Sequence, residues 1–224
     1  NIQFSGWSPN SGVHSYSHPF ISQLDTFSER PFQVNCYTRR LGLDVQTDPA
    51  KFLFNGWLAK HNLQPNTPEH FPFNIEYGYH FDSGLLGQFL CEHAQTLGVK
   101  HLQCKIEHIN QHPDGSIASL QCDNGEMIDG DMFIDCTGFQ SLLLQKTLNV
   151  PFTSFKDNLF NDAAVVFPTH TDDNQPVETK ATALSNGWAW RIPLTHRTGN
   201  GYVFSRDFIT PDQAEHEFRQ HLGL

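Results

Sequence analysis

Thirteen histidines, five cysteines and a close pair of aspartates are among the groups with which this 224-residue sequence could do chemistry. His14 and His18, and likewise His108 and His112, have the i,i+4 spacing that two ligands on one helix face require. The first pair lies in a Ser-, Gly- and Pro-rich stretch, and the second runs from an apparent strand into a turn. Neither has a Cys or acidic partner at ligand spacing, so no metal site is assigned. Asp131 and Asp135 suggest acid–base work, but four residues along a strand span ~13 Å, and the two are read as structural. Cys136 reads as a small core residue and not as a nucleophile. Thr137-Gly138 is of more interest, because a glycine at a strand end lets a cofactor approach the backbone closely. Trp188 and Trp190 must share one face of any strand that carries them, since side chains alternate with period two. Plain core packing would explain them, and truncating either would then cost about 3–5 kcal/mol.

Elements to position these groups are legible in the pattern. Strands are expected near Ile2–Trp7 and Gln33–Tyr37 within an otherwise loop-like stretch up to residue 47. Asp48 as cap and Pro49 behind it open a helix running to about His61, and three prolines make residues 62–75 a connection. Asp82 can cap a helix with the apolar stripe Leu85, Leu86, Phe89, Leu90 and Leu97, stopped by Gly98. Val99–Asn110, Ser116–Cys122 and Glu126–Ile128, separated by the turns His112–Gly115 and Asp123–Gly125, form a β-meander. Asp131–Cys136 is expected as a buried strand entering Thr137-Gly138, with a helix from Phe139 to about Leu148. Thr179–Leu184 and Trp188–Leu194 flank an Asn186-Gly187 hairpin turn. Gly199–Gly201 reads as another turn before Tyr202–Ser205, and Thr210 with Gln213 begins a final helix by capping box.

The composition narrows the function. Net charge is −10 and hydrophobic residues make up 38% of the chain, 19 of the residues being Phe. A packed core is therefore available, and no basic cluster suggests nucleic acid or an anionic membrane. No apolar run approaches the ~18–20 residues of a membrane helix. The cysteines are odd in number and form no C-x-x-C, so no disulfide framework is expected and a reducing cytoplasm fits.

Three stretches together carry a resemblance: Tyr79-His80-Phe81-Asp82 with the following helix, the Asp131–Gly138 run, and Gly187–Pro193 followed by Gly199–Ser205. The third contains W-x-W-x-I-P, which resembles the signature of the flavin-dependent halogenases, best known for acting on tryptophan. A strand ending in Thr-Gly is common in flavoproteins, whereas W-x-W-x-I-P separates these halogenases from monooxygenases of the same fold. The resemblance implies an α/β chain: part of the FAD-binding fold of the aromatic hydroxylases, three layers with a β-meander, plus a second β-rich sheet. Residues 1–78 would form a substrate-side loop and helix segment, 79–150 part of the FAD-binding domain, and 151–224 the β-rich substrate-domain sheet and its helix.

It also implies a reaction. With reduced FAD and O2, a chloride or bromide ion is oxidised to hypohalous acid, which travels a tunnel to a Lys beside an electron-rich aromatic substrate, tryptophan or another indole. A separate flavin reductase is implied as partner, since nothing here reads as a nicotinamide site. Tyr16–Phe20 matches the family's H-x-F, so His18 and Phe20 would line the substrate pocket. Ile106 falls where a backbone contacts the FAD adenine, with Thr137 and Gly138 near the cofactor. Trp188, Trp190, Ile192 and Pro193 would wall the tunnel. The catalytic Lys is expected before Asn1 and a catalytic Glu beyond Leu224, and no G-x-G-x-x-G loop occurs in the chain. The sequence is therefore expected to be an internal piece of an enzyme, inactive and weak in FAD binding by itself. An FAD monooxygenase of the same fold, or a non-catalytic flavin- or partner-binding module, are the competing readings.

Overall fold

A computed structural model describes residues 1–171 and 174–224. They divide into two units, Asn1–Asp82 with Leu159–Leu224, and Ser83–Asn158.

Nine strands and four α-helices organise the described residues. The first unit holds a six-stranded sheet of β1 (Ile2–Ser5), β2 (Ser15–His18), β6 (Ala163–Thr169), β7 (Thr179–Leu184), β8 (Gly187–Pro193) and β9 (Thr198–Phe204), ordered β2-β1-β7-β8-β9-β6. β1 runs parallel to β7 and every other neighbour is antiparallel. α4 (Pro211–Leu222) starts where the capping box requires: Thr210 Oγ1 accepts from the Gln213 amide at 3.3 Å, and the Gln213 side chain accepts from the Thr210 amide at 3.1 Å. Gly223 ends it in the left-handed region. Ala214 and Phe218 of α4 pack on Ala189, Tyr202 and Phe204 to make the core, each at most 3% exposed. The Tyr202 hydroxyl is satisfied inside this core, donating to Glu217 Oε2 at 3.0 Å and accepting from the Asn186 amide at 3.2 Å.

Several local expectations are corrected. Gln33–Tyr37 is not a strand but the middle of α1 (Glu29–Arg40). Its Val and Tyr suggested β-structure, yet they stay exposed, and local i,i+4 bonding such as Gln33 to Glu29 at 2.9 Å suits a helix instead. The helix expected from Asp48 to His61 is broken in two. Asp48 caps a single turn over Pro49–Lys51, accepting from the Ala50 amide at 3.0 Å, and α2 spans Phe54–Lys60. A Cβ at Gly56 would stand 2.5 Å from the Ala50 Cα, so these two pieces fold tightly against each other. The β7–β8 turn is Ser185-Asn186, one residue earlier than read, with Leu184 opposite Gly187. Gly199–Gly201 is no turn but the middle of β9, and β8 and β9 are joined instead through Leu194–Arg197, closed by a 2.8 Å backbone bond. Strands β2 and β6 had no counterpart in the pattern.

In the second unit, α3 (Ser83–Thr96) follows directly on Asp82, and β3 (Ile106–Gln111), β4 (Ile117–Cys122) and β5 (Met127–Asp129) form the expected meander. The apolar stripe of α3 is outward: Leu85, Phe89, Leu90 and Leu97 are all more than half exposed. Asp131–Cys136 pairs with no described strand. Met132 and Ile134 therefore stand exposed, and Cys136 is exposed too, not a core residue. A strand exists only through a neighbour's hydrogen bonds, which an apolar run of this length does not supply. The helix expected over Phe139–Leu148 is a short 3-10 turn at Gly138–Gln140, then a π-helical turn at Leu142–Thr147, with Ser141 left-handed between them. Cys104 and Cys122 form a disulfide, against the expectation from cysteine count. The meander sets their Cα atoms 5.8 Å apart, within bridging range, although 18 residues separate them in sequence. Among the described residues no helix is long and apolar enough to cross a membrane.

Candidate functional site

The W-x-W-x-I-P run is β8. Directly paired residues share a face, so Tyr16, Phe4, Ala181, Trp190, Gly201 and Val166 form one row across all six strands. Trp188 and Ile192 share that face by alternation, whereas Ala189 points to the core beneath α4. Neither indole is fully buried. Their ring centroids lie 6.1 Å apart, and the aromatic run continues from Trp188 to Trp7 at 6.5 Å, Trp7 to Phe4 at 5.8 Å and Phe4 to Tyr16 at 5.2 Å. Trp7 is pinned by its indole N–H, which donates to the Ala181 carbonyl at 3.1 Å. The sheet thus has a core face under α4 and a second face formed by a band of aromatic rings, suited to planar guests and to excluding water.

The Tyr79–Asp82 motif grips the end of this strand. His80 Nδ1 lies 3.1 Å from the Pro193 carbonyl and Nε2 lies 2.9 Å from Thr179 Oγ1. A carbonyl only accepts, so Nδ1 carries the proton and Nε2 accepts from the threonine. Burial pushes the His80 imidazole below its ordinary value, opposed in part by the Pro193 carbonyl. Asp82 reaches the β8–β9 connection, pairing with Arg197 at 2.8 Å and with His196 at 3.4 Å. Sequence reading marked this motif as a family signature without seeing that it touches the tryptophan motif.

His18 and Phe20 sit at the sheet's other edge. His18 is exposed, opposite Ile2, on the same face as Tyr16 and therefore as Trp190. Phe20 is partly buried, and its backbone is held at both ends: its amide donates to Asn1 Oδ1 at 3.0 Å, and its carbonyl accepts from Asn55 Nδ2 at 2.9 Å. Asn55 is 4% exposed and also donates to the Glu76 carbonyl at 2.7 Å and to Ser22 Oγ at 3.0 Å. Buried Asp25 completes the support, accepting from the Ser22 amide at 2.8 Å and the Phe54 amide at 2.7 Å. Sequence analysis missed Asn55 and Asp25. An Asn inside a short helix carries no signal until the loops around it are placed.

The cofactor candidates lie in the second unit. Ile106 opens β3 opposite Cys122. Gly138 adopts φ +60° with nothing within 4 Å of where a Cβ would stand, so its backbone is open to a flavin's approach. Thr137 is anchored through Asp135, whose carboxylate accepts from Thr137 Oγ1 at 2.6 Å, from the Thr137 amide at 3.1 Å, and from the Leu143 and Leu144 amides at 3.0 Å each. Led by the Thr137 hydroxyl, these bonds hold the Asp135 carboxyl down at about 2. Asp135 is thereby structural, as read. These residues suit the edge of a flavin site, and the pyrophosphate loop that would complete it is not among them.

A family model described as tryptophan halogenase matches residues 1–224. The chain is 42% identical to the tryptophan 7-halogenase RebH of Lentzea aerocolonigenes, over 84% of this chain and 33% of that protein. It is 39% identical to the tryptophan 6-halogenase SttH of Streptomyces toxytricini, over 99% of this chain and 46% of that protein. Among solved structures, a flavin-dependent halogenase from Xanthomonas campestris superposes with a TM-score of 0.81 at 31% identity, covering 96% of this chain and 43% of that one. A tryptophan halogenase from Shewanella frigidimarina also gives 0.81, at 32% identity, over the whole of this chain and 43% of that one. The chain spans less than half the length of these relatives.

Proposed function

Because this chain belongs to the tryptophan halogenase family, we propose that the whole protein of which it forms part halogenates an electron-rich aromatic ring, with the indole of tryptophan as first candidate. The observation that carries this reading is the aromatic face of the six-stranded sheet with W-x-W-x-I-P at its centre. Reduced FAD, when bound, supplies the electrons that O2 chemistry needs to oxidise a chloride or bromide ion to hypohalous acid. Ile106, Thr137 and Gly138 contribute to holding it. Trp188, Trp190 and Ile192 line the path of the oxidant and keep water and bulk solutes out of it. His18 and Phe20 face the aromatic substrate, Phe20 by ring contact.

The test is to supply the full-length protein with reduced FAD from a separate flavin reductase, O2, bromide and tryptophan or indole, and to weigh the product. A mass gain of one bromine for hydrogen is the expected result. A gain of one oxygen instead would replace this reading with the monooxygenase one.

A further inference from the structure

Gly201 looks like a turn residue in sequence, yet it lies mid-strand in β9, directly opposite Trp190. Glycine inside a strand weakens it and marks a place where something approaches the backbone closely. Here that object is the Trp190 indole. A Cβ built on Gly201 would stand 2.0 Å from Trp190 Cζ2, 2.1 Å from Cη2 and 2.5 Å from Cε2. No real Cβ tolerates such contacts, so any side chain at 201 must displace the ring. The displacement has little room, since Trp188 stands 6.1 Å away along the same strand and Trp188 in turn meets Trp7 at 6.5 Å. Three residues along β8 itself, His80 ties the Pro193 carbonyl at 3.1 Å and so holds the end of the strand that carries the ring.

We propose that Gly201 is a positioning residue: its bare backbone is the floor against which the Trp190 indole rests, and the lie of that ring keeps the oxidant on course to the substrate. The second half rests on the function proposed above; the first does not. Gly201 does not touch substrate or cofactor in this account. It acts only through Trp190.

The experiment compares four forms of the full-length protein: the parent, Gly201→Ala, Trp190→Phe and Gly201→Ala/Trp190→Phe. The phenylalanine ring lacks the Cζ2 and Cη2 atoms that make the two shortest contacts, so it eases the clash. Two readouts are taken on each. One is brominated product formed per flavin reoxidised, with escaping oxidant captured by a soluble halogen trap. The other is the near-ultraviolet circular dichroism of the indoles. Gly201→Ala is expected to lower product per flavin by up to about a hundredfold, the scale of a misplacement near 1 Å, with trapped oxidant rising in step. Its indole spectrum changes, and in the Trp190→Phe background the same substitution adds no further loss and no further spectral change. A plain strand-stability role would give the reverse pattern, with the two substitutions costing independently and adding in the double variant. That additivity, or an unchanged spectrum in Gly201→Ala, overturns the inference. If the parent forms no brominated product, the functional reading fails, while the spectral cycle still decides whether Gly201 sets the ring.

Discussion

Replacing Asn55 by alanine tests how the support beneath Phe20 is built. Asn55 is 4% exposed, and its amide nitrogen reaches the Phe20 carbonyl at 2.9 Å, the Glu76 carbonyl at 2.7 Å and Ser22 Oγ at 3.0 Å. An amide nitrogen carries two hydrogens, so truncation removes two donors from a place water does not reach and leaves backbone carbonyls unsatisfied. At about 1–3 kcal/mol for each group so stranded, less the partial relaxation of its loop, the loss should come to about 2–4 kcal/mol. Asn55→Asp keeps the shape but turns a carboxylate toward the two carbonyls, and should cost at least as much. Urea unfolding of the full-length variants gives the assay, read as a shift in midpoint at unchanged slope. A cost under about 0.5 kcal/mol for either variant, the range of an ordinary surface change, would show that this network does not hold the loop. Asn55→Ala should also raise the KM for an indole substrate, because the Phe20 backbone is freed.

Phe20→Ala itself should raise KM for an indole with little change in unfolding midpoint, and an unchanged KM would remove Phe20 from the pocket. Phe218→Ala empties the centre of the α4 core, where the ring is 0% exposed and stacks on Phe167 at 5.7 Å; denaturation should show a loss of about 3–5 kcal/mol, and a loss under 1 kcal/mol would mean that α4 does not seal the sheet. His80 gives a pH effect of defined sign. Its folded value lies below the ordinary 6.5, so the unfolded chain binds more protons and stability rises with pH. The contribution is full above 6.5 and declines as pH falls from there toward the folded value. Between about pH 8 and pH 5, the parent's unfolding midpoint should fall more steeply than that of His80→Gln, and parallel curves would refute the assignment.

Local rules were enough for much of this protein. The cap at Thr210 with Gln213, the stop at Gly223, the β-meander and the shared face of Trp188 and Trp190 each follow from a few neighbouring residues, because a cap, a turn or an alternation is satisfied within a turn or two of chain. W-x-W-x-I-P pointed to the family for a similar reason: its residues are consecutive on one strand.

What local rules misjudged depended on partners far away in sequence. Gln33–Tyr37 has the side chains of a strand and Asp131–Cys136 is an apolar run, but neither finds a pairing strand among the described residues. Gly199–Gly201 has the residues of a turn, yet it pairs with Trp190–Ile192 of β8 as part of the sheet. Cys104 and Cys122 look unpaired until the meander sets them face to face. Asn55 carries no signal of its own and His80 none beyond its family motif, since their contacts are hydrogen bonds to Pro193, Thr179, Phe20 and Glu76, each more than 20 residues distant. The sequence by itself determined the caps at Thr210 and Gly223, the meander and the shared face of the two indoles, and it pointed to the family. Only tertiary structure decided which side chains face one another, because hydrogen bonds and ring contacts act over a few ångströms of space, whatever the separation along the chain.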